Sequence, residues 1–366
     1  MRITVLTSSR ADYSIYLPLL KKLKADNYFG LRIIAFGTHL SHKHGYTLNA
    51  ILDDGFDVVH RVITLPKGDS PRMIAEAMAS AAAEFAEIWE TEKALTDLVF
   101  CLGDRYEMFA AVAASVPFTI PVAHLHGGET TLGAIDNSFR HAITAMSRYH
   151  FVSTEKSAGR VAQITGSTEH IYQVGAMGLD NLREIALLSK EEFRERFSIF
   201  PDNPVLVTFH PETISHSKNE LYVKELIAAL EELDQQIIIT MPNADTGNEL
   251  IRKALQDLAD RMKNVHALES LGTQGYFSCI AHCAFLLGNS SSGIIEAASF
   301  GKYVINLGNR QEGREAGENV IHRTFEKEAI LNAIQHIGTL PPLKKNNLYG
   351  DGRTSEKIIS ILKTIG

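Results

Sequence analysis

Short apolar runs alternate with helix-patterned segments along almost the whole of this chain, and each run stops at a polar turn. Ile3 to Leu6 stops at Thr7–Asp12, Leu31 to Phe36 at Gly37-Thr38-His39, and Leu98 to Leu102 at Gly103-Asp104-Arg105. Runs of four to six apolar residues with no polar alternation suit strands covered on both faces, and the intervening helices make the sheet parallel. The alternation is that of a doubly wound α/β domain.

The same rhythm continues with a strand at Val58–Ile63, an Ala-rich helix at Arg72–Leu95, and strands at Pro121–Leu125 and Phe151–Ser153. It restarts after a polar, helix-prone stretch at about 180–203. Strands are then expected at Pro204–Phe209, Gln236–Thr240, around Val265, at Ala284–Leu287 and at Tyr303–Asn306. The fold class is α/β, with a first Rossmann-like doubly wound domain over 1–180, a second over 181–366, and a cleft between them. A final helix over Ser355–Ile365 carries Ile358, Ile359, Leu362 and Ile365 on one face and must pack on a domain, the first being a candidate beside the second.

The most informative turn is Gly288-Asn289-Ser290-Ser291-Ser292-Gly293, between the run Ala284–Leu287 and the helical spacing of Ile294, Ile295, Ala297 and Ala298. Serine hydroxyls and backbone N–H groups at the start of a helix suit a phosphate. Glu296, one turn on, suits a vicinal diol such as a ribose. One serine would serve as a helix cap; three between glycines exceed that need.

Ligands of open parallel sheets bind beyond the carboxyl ends of the strands. The polar clusters expected there are Ser8-Ser9-Arg10, Gly103-Asp104-Arg105, His124–Glu129, His210-Pro211-Glu212-Thr213 and Asn243. Each has a plainer reading. Asp104 is equally a helix N-cap. Asp136 and Arg140 read as an exposed i,i+4 pair. His124 reads as a core histidine, and His39, His42 and His44 as a polar surface loop without a carboxylate at metal-ligand spacing. Carboxylates and histidine near a phosphate site suit proton abstraction beside an anomeric carbon whose leaving group is a diphosphate. Arg10, Arg105, Arg310 and Arg314 suit that diphosphate.

Composition narrows the classes further. A net charge of -7 without charge blocks, 45% hydrophobic residues and a mean hydropathy of -0.04 argue against nucleic-acid and membrane partners. Cys101, Cys279 and Cys283 are expected as buried thiols in a reducing cytoplasm. The N-terminal run reads as a strand, not a signal peptide. No Gly-Lys-Ser/Thr phosphate loop and no Gly-x-Gly-x-x-Gly after a strand occurs, which disfavours P-loop kinases and dinucleotide dehydrogenases.

Taken in order, these motifs resemble the hydrolysing UDP-N-acetylglucosamine 2-epimerases of sialic acid biosynthesis over nearly the whole length. The likeness rests on Ser9–Tyr13, Leu102–Glu107, His124–Glu129, Ile135–His141, Phe209–Thr213, Asn243–Gly247, Gly288–Glu296 and Gly308–Arg314. It implies the GT-B architecture, and elimination of UDP from UDP-GlcNAc to 2-acetamidoglucal followed by hydration to free N-acetylmannosamine. No metal or redox cofactor is implied, and a homodimer or homotetramer is. By the same resemblance Asp104, Asp136 and His210 match acid/base or leaving-group positions. Arg10, Ser14, Arg105, His210, Asn243, Leu271, Ser290, Ser291, Glu296 and Arg310 match UDP contacts. Animal members carry a glutamate where this chain has His126, so His126 or Glu129 is expected to take part of that role. The Glu-Ala-Gly-Leu-Arg pattern of non-hydrolysing relatives is absent. Alternatives of the same architecture are an epimerase for a UDP-2,4-diacetamido-2,4,6-trideoxy sugar on the legionaminic acid route, or a GT-B glycosyltransferase. A UDP-sugar-binding module without turnover is a third.

Overall fold

The structure is a computed structural model that describes residues 1–42, 45–66, 68, 70–132, 135–212, 216–242 and 248–366. The chain forms two compact α/β units. Unit 1 comprises Met1–Glu129, Asp136–Glu184 and Tyr349–Gly366, and unit 2 comprises Thr130–Ile135 and Ile185–Leu348.

Unit 1 holds β1 (Arg2–Thr7), β2 (Gly30–Phe36), β3 (Val58–Val62), β4 (Leu98–Leu102), β5 (Val122–Leu125), β6 (Tyr149–Val152) and β7 (Ile171–Gln173). They form a parallel sheet in the order β3-β2-β1-β4-β5-β6-β7. Every residue of β4 and β5 is buried, as the unbroken apolar runs require of strands covered on both faces. Ile3, Val5, Phe100 and Phe151 face one layer of helices, and Leu6, Val99, Cys101 and Trp89 belong to the core on the other side. The Ala-rich helix runs over Pro71–Glu92, with Ser70 as N-cap and proline in its first turn.

Unit 2 holds β8 (Val205–Thr208), β9 (Ile237–Thr240), β10 (Val265–Leu268), β11 (Phe285–Gly288), β12 (Val304–Leu307) and β13 (Val320–Arg323), parallel in the order β10-β9-β8-β11-β12-β13. The edge strands β7 and β13 were not expected from sequence. Neither contains a buried residue, and Ile-Tyr-Gln and Val-Ile-His-Arg lack the apolar run that marks the inner strands. The polar stretch 180–203 contains a helix over Lys190–Phe197, opened by a capping box of Ser189 and Glu192.

The last helix, Thr354–Ile365, belongs to unit 1, where Ile358 and Leu362 join the core formed by Tyr16, Leu19 and Leu23. Asp180 fixes its start: one carboxylate oxygen accepts the Thr354 N–H at 2.8 Å and the other the Ser355 N–H at 2.6 Å. The thiols of Cys101, Cys279 and Cys283 are free and buried. Among the described residues no helix is long and apolar enough to cross a membrane.

Candidate active site

In each sheet the strand order reverses once, between β1 and β4 in unit 1 and between β8 and β11 in unit 2. A ligand approaches an open parallel sheet at such a switch point, beyond the strand ends. Most of the clusters singled out from sequence leave the sheets there or one strand further along.

In unit 2, β11 ends at Gly288 with φ +138, where a Cβ would overlap the Thr208 carbonyl oxygen. Only glycine permits that approach. Asn289 follows, fully buried, and its amide binds the backbone of His210 at both ends. The His210 N–H donates to Oδ1 at 2.7 Å, and Nδ2 donates to the His210 carbonyl at 2.8 Å. Ser290 is the N-cap, its hydroxyl accepting from the Ser292 N–H at 3.4 Å. The Tyr276 hydroxyl is hydrogen bonded to that of Ser292. The helix after the loop is shorter than its spacing suggested: it spans Ser291–Ile295, and a 3-10 turn takes over at Ala297–Phe300. Dipole support for an anion is correspondingly limited; the N–H groups of Asn289, Ser292 and Gly293 are already hydrogen bonded within the fold, and the side-chain donors on offer are the half-buried hydroxyls of Ser290 and Ser291. Glu296 stands at the end of that helix, half-buried.

The turn after β12 is fastened from β8. One oxygen of Glu212, itself buried, accepts the N–H groups of Asn309 at 2.7 Å and Arg310 at 3.2 Å. Half-buried Arg310 places Nη1 3.4 Å from the Asn289 carbonyl, which Gln311 also reaches at 3.0 Å. His210, Asn289, Ser290 and Arg310 thus surround one switch point. Burial, and then the positive charge of Arg310, push the His210 pKa down to about 3, so its imidazole is neutral at physiological pH. Leu271 is the buried N-cap of the helix Gly272–His282. Asn243 and Thr213 lie outside the described residues.

In unit 1, β1 opens into the helix Arg10–Ala25, capped by Ser9. The Ser8 hydroxyl donates to Asp12 at 2.6 Å. Arg10 is exposed, and Ser14 is half-buried with its carbonyl accepting from Asn181 at 2.9 Å. After β4, Arg105 donates from Nε to buried Glu107 at 2.7 Å, whose negative charge holds the guanidinium pKa above its usual range.

Asp104 is not the helix cap; that position belongs to Arg105. Its carboxylate forms an ion pair with Nη2 of Arg140 instead. Arg140 is therefore no exposed partner of Asp136. It is 4% exposed, on the inner face of the helix Asp136–Met146. Burial alone would lower the pKa of its guanidinium; the carboxylates of Asp104, Glu129 and Asp136 reverse that and raise it. Asp136, half-buried, is the first residue of the same helix. Beyond β5, His126 donates from Nδ1 to Glu129 at 2.7 Å, and Glu129 also accepts the Ser153 hydroxyl at 2.8 Å.

His124 is a core residue as expected, its Nε2 donating to the Gly103 carbonyl at 2.8 Å and its pKa lowered by burial to about 3. His39 departs from the surface loop expected of it. It is fully buried, with ring nitrogens 2.9 Å from the Thr7 hydroxyl and 2.8 Å from that of Thr47. His42 is exposed and stacks on Tyr46, and His44 lies outside the described residues.

Chemically, unit 1 offers a partly open carboxylate backed by a buried guanidinium, fit to hold or move a proton. Unit 2 offers hydroxyl donors, an arginine and a neutral imidazole, a set fit for an anion. Sequence reasoning passed over Arg140 and the backbone clamps made by Asn289 and Glu212, although all three residues stand inside motifs it had marked.

The family model described as UDP-N-acetylglucosamine 2-epimerase matches residues 21–363. The chain is 38% identical over 365 residues to a UDP-N,N'-diacetylbacillosamine 2-epimerase (hydrolyzing) of Legionella pneumophila, covering 100% of this chain and 96% of that one. It is 32% identical over 335 residues to polysialic acid biosynthesis protein P7 of Escherichia coli, covering 91% and 85% of the two. Among solved structures, UDP-GlcNAc 2-epimerase from Neisseria meningitidis bound to UDP-GlcNAc superposes with a TM-score of 0.83 at 19% identity, over 100% of both chains.

Proposed function

Because the chain belongs to the UDP-N-acetylglucosamine 2-epimerase family, we propose that it is a hydrolysing UDP-sugar 2-epimerase whose substrate is a UDP-2,4-diacetamido-2,4,6-trideoxyhexose. The observation that carries the choice of sugar is the full-length 38% identity to the Legionella diacetylbacillosamine enzyme. UDP-GlcNAc, giving free N-acetylmannosamine, is the second reading. It is favoured by the 32% identity to the polysialic acid protein.

The reaction has two halves. A base removes the proton from the sugar's second carbon, its electron pair forms the C1–C2 double bond, and the C1–O bond breaks to release UDP. Water then adds across that double bond, hydroxyl to C1 and a proton to the opposite face of C2. The sum is UDP-sugar plus water to UDP plus the free 2-epimer. We assign proton transfer to Asp104 and Asp136, and neutralisation of the departing diphosphate to Ser290, Ser291 and Arg310. His210 assists leaving-group departure as a neutral donor. Arg10, Ser14, Arg105, Leu271, Asn243 and Glu296 complete the nucleotide contacts. Proton transfer by positioned groups contributes about 10²–10⁴-fold to such steps.

Measuring kcat/KM for both UDP-sugars in heavy water tests this. The expected result is equal release of UDP and free sugar, one deuterium at the second carbon, and a higher kcat/KM for the diacetamido substrate. Preference for UDP-GlcNAc selects the second reading. A UDP-linked epimer with no free sugar rules out the hydrolysing assignment.

A further inference from the structure

Four polar side chains of unit 1 run in series: His126, Glu129, Arg140 and Asp104. Their exposure is uneven. The Asp104 side chain is 22% exposed and that of Arg140 5%, while Glu129 is 4% and His126 12% exposed. Only Asp104 among them is substantially open.

Arg140 stands at the centre. Nη2 pairs with Asp104, and Nη1 donates to the His126 carbonyl at 3.0 Å and lies 3.9 Å from Glu129 Oε2. A guanidinium withdrawn from water needs its charge balanced and its donors occupied. Glu129 supplies part of that balance from behind while Asp104 takes the outer fork. Glu129 is held in turn, its Oε1 receiving His126 Nδ1–H at 2.7 Å and the Ser153 hydroxyl at 2.8 Å.

The far side of the His126 ring settles what that residue can do. Nε2 accepts the backbone N–H of Met177 at 3.3 Å. The ring therefore keeps a lone pair on Nε2 and its proton on Nδ1, and both nitrogens are spent inside the fold. Its backbone has φ +62, in the left-handed region that few non-glycine residues enter.

We infer that Arg140 is a positioning residue that holds the Asp104 carboxylate for proton transfer, and that Glu129 and His126 act through Arg140 rather than on the sugar. This rests on the 2-epimerase reading and assigns, within it, which side chains touch the substrate.

The test combines activity, UDP affinity, thermal unfolding and the tautomer of His126. R140M lowers kcat by about 10²-fold, the cost of misplacing a reacting group by roughly an ångström, with UDP affinity unchanged. Since R140M takes the paired cation from Asp104 and buries an uncharged side chain among carboxylates, with misfolding a risk, R140K is made beside it. Lysine keeps the charge and loses the planar fork, so a folded R140K shows a smaller fall in kcat. The double variant D104N/R140K is no slower than D104N alone within about threefold, because residues acting as a unit are not additive. Multiplying losses overturn the inference. H126N keeps an N–H facing Glu129 and costs less than about tenfold, whereas H126L costs more. A loss in H126N as large as that in D104N makes the ring itself the proton-transfer group and overturns the inference too. Nitrogen-15 spectra read the tautomer whether or not the enzyme turns over: Nδ1 protonated supports the arrangement, and Nε2 protonated refutes it. A wild type inactive on both UDP-sugars with Nδ1 protonated defeats the functional reading and leaves the arrangement supported.

Discussion

Asn289 binds His210 by both ends of one amide, taking its N–H at 2.7 Å and giving to its carbonyl at 2.8 Å. The two residues are 79 positions apart and leave adjacent strands, β8 and β11. A fully buried asparagine used this way fixes the backbone from which the His210 ring projects.

Asn289→Ala removes both bonds and leaves two buried backbone groups unpaired. Each unsatisfied group costs about 1–3 kcal/mol. The expected result is a urea midpoint lowered by an amount corresponding to about 2–5 kcal/mol, with weaker UDP binding by calorimetry. Unchanged stability would mean that water replaces the amide without loss.

Ser290→Ala combined with Ser291→Ala tests the serine loop as a phosphate site. Neutral hydrogen bonds contribute roughly 0.5–1.5 kcal/mol each and bonds to charged groups more, so UDP affinity should fall by about one to two orders of magnitude. Loss of the Ser290 cap adds a separate stability cost of about 1 kcal/mol. Calorimetric affinity equal to wild type in the double variant removes the loop from nucleotide binding.

Asp104→Asn keeps an oxygen for Arg140 and loses the ability to take a proton at neutral pH. The expected fall in kcat is about 10²–10⁴-fold, with UDP binding unchanged. Near-normal turnover would leave Asp104 as a structural partner of Arg140 and no more.

Stability should fall on acidification earlier than carboxylate titration alone would cause. Burial lowers the pKa of His124 and His210 to about 3 and of His39 and His150 to about 4. A depressed folded-state pKa means the unfolded chain binds protons first, so these histidines stabilise the fold above their ordinary value of 6.5. That contribution is lost as pH drops from there toward 3–4. The loss between pH 7 and pH 5 is on the order of 1–2 kcal/mol per histidine. Urea unfolding at pH 7, 6 and 5 measures it, and a flat profile over that range would place these rings in contact with water.

The inner strands and the fold class were legible because their information is local. Leu98–Leu102 and Val205–Thr208 carry unbroken apolar runs that only a doubly covered strand needs. The turns carrying Asp104, His210 and Ser290 were legible for the same reason, each following such a run. Pairings across the sheet were not. Arg140 has Asp136 one helical turn before it in sequence, but the carboxylate that pairs with its Nη2 lies 36 residues away on another strand end. His39 sits among other histidines in a polar stretch, and nothing local shows that Thr7 and Thr47 enclose it. The edge strands β7 and β13, having no buried residue, leave no apolar signature to read.

The return of Thr354–Ile365 to unit 1 makes the order of synthesis matter. The bulk of unit 2, Ile185–Leu348, lies between Glu184 and Tyr349 of unit 1 in the chain, so the ribosome releases all of unit 2 before the piece that completes unit 1. Until then Tyr16, Leu19 and Leu23 lack the cover of Ile358 and Leu362, and Asp180 has no helix start to bind. A nascent chain would thus carry an open apolar face on its first-made half while its second half closes, the situation in which holding chaperones act. A fragment ending at Glu184 reproduces that state permanently, and supplying 349–366 as a separate peptide should restore its packing.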